Sequence, residues 1–427
     1  MSWIERAITE GLKKVDEIEI FTVEGQSITA ELRGKSISVA KEESSSGICI
    51  RTIDKGRIGA SSTNNPIEWE RCLQAAISAG KLVSPQEWSG LPGQQNFPSS
   101  KPCSDPQVQL GPAFLKDIIY GLIEGSKQYN ADITSGGAEA SRTRISLENS
   151  NGFQASVDYT DNSCSLETIH ESSTGNEFDM SWEAKLDPFQ TGKTAAFYAE
   201  KSWKGSDINT GTYDIVLSPM ALGELIESTL IPALSGKNVH AGRSLLKDKL
   251  NEEIAVNSLK VYDLPSTTEG LGSVLWDTEG TPTKRIDFIK NGALNAFAYD
   301  IRTASRYGKV STGSAVRSGA SGSPGIGHHN LLVEGRNTEV LEEPAVFIKS
   351  VVGAHTANPM SGDFSVELSN AFLAENGELT TPVRKAMLAG NVFEMLKVIQ
   401  GVSKERKVIG DMILPSVRIH DQTVIGV

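Results

Sequence analysis

Apolar residues recur at helical spacing at the start of the chain and then give way to alternation. Ile4, Ala7, Ile8, Leu12 and Val15 form one stripe, and Ser2 with Glu5 fits a capping box, so residues 2–15 read as an amphipathic helix. Alternating segments at residues 17–23, 27–32, 36–41 and 47–53 predict strands, and Asp54-Lys55-Gly56-Arg57 predicts a hairpin turn into another at 58–62. Asn65-Pro66 opens a second helix, with Asn as cap and Pro in the first turn, which runs to Val83. Residues 85–112 hold six of the 17 prolines and show no period, which marks an irregular surface crossing rather than a core element. A third helix at 113–129 precedes strands from 131 to about 183 with a turn at 149–152. Many of these alternate polar and apolar residues, as in an antiparallel sheet with one wet face. A fourth helix at about 191–203 closes this half, and the polar, Gly-rich stretch 205–211 places a boundary between a domain of residues 1–205 and one of residues 206–427.

The second half opens with a strand at 213–217 and a helix from Ser218 to about Leu234. Short strands separated by Gly, Pro and Asn turns follow, with helices expected only around 300–307 and 391–402. The fold class is therefore α+β: an N-terminal α+β domain with an antiparallel sheet and helices, then a β-rich C-terminal domain. Residues 277–317 form the centre of the second half. They run from a turn at 278–282 to a strand at 285–289, an Asn291-Gly292 hairpin, a returning strand at 293–299 and a helical segment. The small-residue loop Ser311-Thr312-Gly313-Ser314-Ala315-Val316-Arg317 comes last. It reads either as a tight packed turn or as a place where backbone comes close to another molecule.

Charge and cysteines narrow the classes. The net charge of −12 argues against nonspecific nucleic-acid binding, which needs clustered Lys and Arg. No apolar run reaches the roughly 20 residues of a membrane helix, and Glu5 and Glu10 interrupt the N-terminal segment, so neither a span nor a signal peptide is expected. Cys49, Cys72, Cys103 and Cys164 show no CxxC spacing and point to reduced thiols in the cytoplasm. Gly34-Lys35-Ser36 lacks the earlier glycine of a phosphate-binding loop, since Thr29 stands there. His328 and His329 are adjacent in a Gly-rich loop without a carboxylate or cysteine at ligand spacing, and read as ordinary loop histidines.

The order of residues in two blocks adds an identity of family. The first is Asp277-x-Glu279-Gly280-x-Pro282-Thr283, Asn291-Gly292-x-Leu294, Asp300 with Ala304, and Ser311-Thr312-Gly313-x-Ala315-x-Arg317. The second is Gly362-Asp363-Phe364-Ser365, then residues 375–379, Pro382-Val383 and Ala389-Gly390-Asn391. Together they resemble the TldD/PmbA family, also called modulators of DNA gyrase, with the second block resembling its PmbA (TldE) branch. In the TldD branch, the resemblance implies, the helix after the first strand of this half carries His-Glu-x-x-x-His. Its histidines bind zinc and its glutamate is the general base. Here those positions are Gly223, Glu224 and Ser228, and no cysteine follows Cys164 to supply the family's third ligand. A catalytic zinc takes about three protein ligands. No catalytic, cofactor-binding or metal-ligating residue is therefore assigned to this chain, and Glu224 with Glu227 is expected on a solvated or partner-facing helix edge.

The resemblance implies a non-zinc-binding subunit that pairs with a TldD-like chain, as a heterodimer or larger assembly, and that forms a homodimer when alone. Zinc comes with the partner, and the pair cuts unfolded or small peptides in the cytoplasm, without nucleic acid or membrane. Asp300, Ser311, Thr312, Arg317 and His355 are the expected cleft or partner-facing residues, with Arg317 placed to pair with a peptide carboxylate or an internal Asp. Two other readings stand beside this one. One is a stand-alone regulatory or binding protein of the gyrase-modulator type, without peptidase activity. The other is an enzyme with a different site around His355, Asp300 and Arg317.

Overall fold

The structure, a computed structural model, describes residues 2–95 and 103–426. It begins with helix α1 (Trp3–Leu12), where the expected capping box is formed: Glu5 N–H donates to Ser2 Oγ at 3.1 Å. Strands β1 (Glu17–Arg33), β2 (Ser36–Asp54) and β3 (Arg57–Thr63) follow, then α2 (Trp69–Lys81) and α3 (Pro112–Ser126). Strands β4 (Asp132–Asn149), β5 (Gln154–His170) and β6 (Ser173–Ser181) and helix α4 (Pro188–Lys201) complete this half. The six strands form one antiparallel sheet in the order β3-β2-β1-β4-β5-β6. α1 and α2 bury Ile18, Ile20, Ile48 and Ile50, while α3 and α4 bury Ile28, Ala30, Leu32 and Ala138.

Two long strands replace the four short ones expected between residues 17 and 53. Gly25 lies inside β1, paired with Ser45 on one side and Thr143 on the other, so it serves a close strand approach and not a turn. The Pro-rich crossing differs too. It holds no long element, but Leu91, Cys103 and Val108 are buried, so its described part is not a pure surface excursion. Residues 96–102, with Pro98 and Pro102, lie outside the described residues.

Glycines set how closely α3 and α4 cross. A Cβ at Gly125 would lie 2.0 Å from the backbone oxygen of Phe189, and one at Gly192 would lie 2.1 Å from that of Leu122. Helix propensity alone would make Gly125→Ala stabilising by about 1 kcal/mol. A backbone oxygen cannot rotate away, so the overlap decides. We expect Gly125→Ala to destabilise the chain by about 1–3 kcal/mol, read as a lower midpoint of urea unfolding.

The second half runs β7 (Gly211–Leu217), α5 (Pro219–Ser228), α6 (Leu230–Ala233), α7 (Gly236–His240), β8 (Lys260–Asp263), β9 (Ile286–Lys290) and β10 (Ala293–Leu294). Then come α8 (Ile301–Arg306), β11 (Ala315–Val316), β12 (Gly325–Ile326), β13 (Leu331–Glu334), β14 (Ala345–Val352), β15 (Asp363–Glu375), β16 (Glu378–Val383) and β17 (Ala386–Asn391). Helix α9 (Val392–Met395) and strands β18 (Ile399–Ile409) and β19 (Met412–Gly426) end it. The main sheet has the order β10-β9-β8-β13-β19-β17-β15-β14-β7, and β7 pairs again with β19. Strands β19, β17, β15, β14 and β7 thus close on themselves, which leaves this part of the sheet no open edge. α5 packs against this ring through Ala221, Leu225 and Ile226, within the largest apolar cluster. The fold is α+β, as the patterning predicts.

Three local expectations are corrected. The helix expected at 391–402 is only the turn Val392–Met395, after which β18 pairs with β19. Val392, Phe393, Met395, Leu396 and Ile399 are all buried, and their spacing imitates one helical face. The helix expected from 218 to 234 breaks at Thr229, whose φ is −130° and whose hydroxyl donates back to Leu225 O at 2.6 Å. The strand expected at 293–299 pairs with β9 only over Ala293–Leu294, and Ala298 bridges to Ser235 instead. The Asn291-Gly292 turn forms as read, with φ of 50° and 77°, the left-handed pair that this hairpin type requires. Among the described residues no helix is long and apolar enough to cross a membrane.

Candidate functional site

Strand β7 delivers the chain to Ser218, whose hydroxyl caps α5 by accepting the Met220 and Ala221 N–H groups at 3.1 and 3.2 Å. The helix then fixes the three positions that the family comparison singled out. Gly223 faces the sheet: a Cβ there would lie 3.2 Å from Leu414 Cδ1 and 3.4 Å from Met412 Cε. Glu224 is half-buried, and its carboxylate accepts the Val351 N–H of β14 at 2.8 Å. Burial pushes that carboxyl above its ordinary range. Glu224 thus ties α5 to β14, where a solvated edge was expected, and only Glu227 is exposed.

A concavity of about 960 Å³ opens beside α5 and brings together Glu224, Glu227, Ser228, Arg243 and His355. A second, of about 500 Å³, is lined by Lys237, Asp300, Arg302 and Arg306. Asp300 itself is buried and caps α8, accepting the Thr303 N–H at 2.7 Å. Ser311 and Thr312 are stitched to Tyr299: the Ser311 hydroxyl donates to its carbonyl at 3.2 Å, and Thr312 Oγ1 accepts its N–H at 2.8 Å.

Arg317 is sealed between the two halves of the chain. Its side chain is 1% exposed, ion-pairs with Glu19 of β1 and lies over the Phe21 ring, 4.5 Å from the centroid. Glu19 also accepts from Arg51 Nη2 at 2.6 Å, and Arg51 in turn pairs with Glu279. The other oxygen of Glu279 accepts the Ile301 N–H at 2.7 Å. Asp277, alongside, accepts the N–H groups of Glu279, Thr281 and Ala315 at 3.0, 2.9 and 3.0 Å. Burial, with the Glu279 charge next, pushes the Asp277 carboxyl up; burial also raises Glu279 against the pull of Arg51. A second bridge joins the halves where Glu177 of β6 accepts from Lys349 of β14 at 2.6 Å and pairs with Lys407 of β18.

His355, Asp300 and Arg317 therefore do not converge on one site. His329 is a satisfied buried histidine, with Nε2 at 2.8 Å from Gly313 O, and His328 Nε2 lies 3.1 Å from an Asp411 oxygen that the local sequence does not reveal. Sequence reasoning missed Glu19, Arg51 and Glu177. A signal for the first two was present: each charge interrupts an apolar strand, Glu19 between Ile18 and Ile20 and Arg51 after Ile50.

The donor set beside α5 does not fit a catalytic zinc. Gly223 offers no ligand and is packed on β19, Glu224 is committed to Val351, and Ser228 has only a hydroxyl. Among the described residues, the one group of three His, Cys, Asp or Glu close enough to share an ion is Asp214, His420 and Asp421, none of which lines this concavity.

Comparison with known proteins gives the family. The profile of the PmbA/TldA metallopeptidase C-terminal domain matches residues 210–426, and that of PmbA/TldA metallopeptidase domain 1 matches residues 18–80. A protein of Methanocaldococcus jannaschii is 31% identical over 396 residues, spanning 92% of this chain and 93% of its own. Metalloprotease PmbA of Escherichia coli is 23% identical, over 98% of this chain and 96% of its own. The crystal structure of TldE from Thermococcus kodakarensis matches with a TM-score of 0.92 at 28% identity, over 100% of both chains. With one family profile running from β7 through β19 and a relative aligned along nearly the whole length, this chain belongs to the PmbA/TldD family.

Proposed function

We propose that this chain is the PmbA/TldE-like, non-zinc-binding subunit of a two-chain metallopeptidase that acts on unfolded or small peptides in the cytoplasm. A TldD-like partner brings the zinc and the working glutamate. This chain shapes the groove in which the peptide lies. The observation that carries the reading is Gly223, which has no ligand atom and faces Leu414 and Met412 of the apolar core where the zinc helix would present its first histidine. Its likeness to a TldE along the full length supports the same assignment.

Metal analysis of the purified chain tests it. A zinc hydrolase needs a ligand set, an open water position and a base, and only a possible base stands here. We expect no stoichiometric zinc and no chelator-sensitive hydrolysis from the chain alone. Mixed with a TldD-like chain, it forms a stable complex that cuts an unstructured peptide and stops on addition of chelator. One zinc per isolated chain overturns the assignment.

A further inference from the structure

The two concavities beside α5 and α8 are neighbours along one wall. Pro232 and Asn238 line both, and the Asn238 side-chain amide donates to Pro232 O at 2.9 Å, which fixes that wall. Arg243 stands at the junction, its backbone N–H donating to Asn238 O at 2.8 Å. The ends differ in charge. One presents Glu224 and Glu227, with Arg243 and His355 beside them; the other presents Lys237, Arg302 and Arg306 around the buried Asp300.

The three cations are exposed, and among the described residues none of them forms an ion pair with a carboxylate. Arg302 reaches only Gln86 Oε1, at 3.4 Å, and Arg306 lies over the Tyr307 ring, 5.6 Å from its centroid. Asp300 is the nearest acid in that pocket, but it is buried and engaged with Thr303. Fold stability therefore does not account for the cluster. In a chain of net charge −12, three uncompensated cations in one concavity set up a local field of the opposite sign. Two guanidinium groups with an ammonium suit a carboxylate, which arginine binds bidentately. At the far end Glu224 is taken by the Val351 N–H, whereas Glu227 is exposed and unpaired among the described residues.

We infer that the groove holds a short extended peptide in one direction, with its free α-carboxylate at Lys237, Arg302 and Arg306 and its α-amino end facing Glu227. The inference rests on the peptidase-subunit reading and adds to it a ligand class: small peptides with free termini, in preference to internal segments of long chains.

Calorimetric titration of the full chain with an unstructured Ala/Gly/Ser hexapeptide, as free acid and as C-terminal amide, tests it. The free acid is expected to bind about tenfold more tightly than the amide, the worth of a charge-assisted contact. In the double variant Arg302→Gln, Arg306→Gln only Lys237 remains, so the preference for the free acid shrinks to about threefold or less, and the thermal midpoint is unchanged because both side chains are exposed. Equal affinity of the two peptides for the wild type overturns the orientation while leaving the subunit reading, which metal content and complex formation test separately. Absence of binding by either peptide at millimolar concentration overturns the groove as a peptide site. Saturable binding of inorganic phosphate alone, lost in the double variant and accompanied by equal peptide affinities, reassigns the cations to phosphate and overturns it as well.

Discussion

Replacing Arg51 with Met destabilises the folded chain by about 3–5 kcal/mol, the cost of leaving a buried ion pair with one partner. Arg51 is 3% exposed and is held between Glu19 and Glu279, both fully buried, and these carboxylates pull its pKa further up against the desolvation that opposes it. Met fills similar space and restores none of the charge. Urea unfolding followed by circular dichroism reads the loss, and a shift of less than about 1 kcal/mol would mean that water already reaches the pair. Arg51→Met combined with Glu279→Gln should recover part of it, since the stranded charge is then gone. The pH dependence has a definite sign. Asp277 and Glu279 are held above the ordinary carboxylate range, so the folded chain keeps protons that the unfolded chain has released. Their contribution to stability is fully present below about pH 4 and is lost as pH rises through the folded values. Without Arg51 the Glu279 carboxyl climbs further and the decline steepens. Parallel stability profiles for the wild type and Arg51→Met would show that the two groups are not electrostatically linked.

A second large effect separates the two chains of the proposed complex. Changing the glutamate of the partner's zinc helix to Gln should lower peptide turnover by about 10²–10⁴-fold, because it removes the general base that activates zinc-bound water. Glu224→Gln in this chain should leave most of the turnover. Its carboxylate serves as an acceptor for the Val351 N–H, and an amide oxygen accepts the same bond. The comparison is made with reconstituted complexes of equal zinc content. A hundredfold loss from Glu224→Gln would place a working base in this chain and end the division of labour proposed here.

Local features were legible in the sequence wherever local physics decides them. The Ser2 box, the Asn291-Gly292 turn and the helix N-termini follow from short-range hydrogen bonding and allowed backbone angles. The failures share a cause. Val392 to Ile399 imitate a helix because the same spacing serves a turn that leads into a strand, and only the pairing with β19 decides between them. The break between the strands expected at 17–23 and 27–32 is absent because Gly25 pairs with Ser45 and Thr143, one on each side. At the site, the Gly and Ser at 223 and 228 could be read directly, since that needs only residue identities. The partner of Arg317 could not. Glu19 stands out locally as a charge between Ile18 and Ile20, but nothing in that pattern says that its partner lies at Arg317, in the other half of the chain.

The ring of strands in the second half bears on how the chain must fold. β7 is its first strand to emerge, yet it needs β14 and β19 beside it, with Leu217 opposite Val417 in the finished register. Contacts so distant along the chain demand closure of a very long loop before any burial rewards it, which slows folding. Until β19 arrives, Ile215, Val216 and Leu217, all fully buried in the end, offer a bare apolar strand to any neighbour. The price of a sheet without open edges is a long interval during synthesis in which its first edge stands open, and a chaperone that shields extended apolar segments would find its work there.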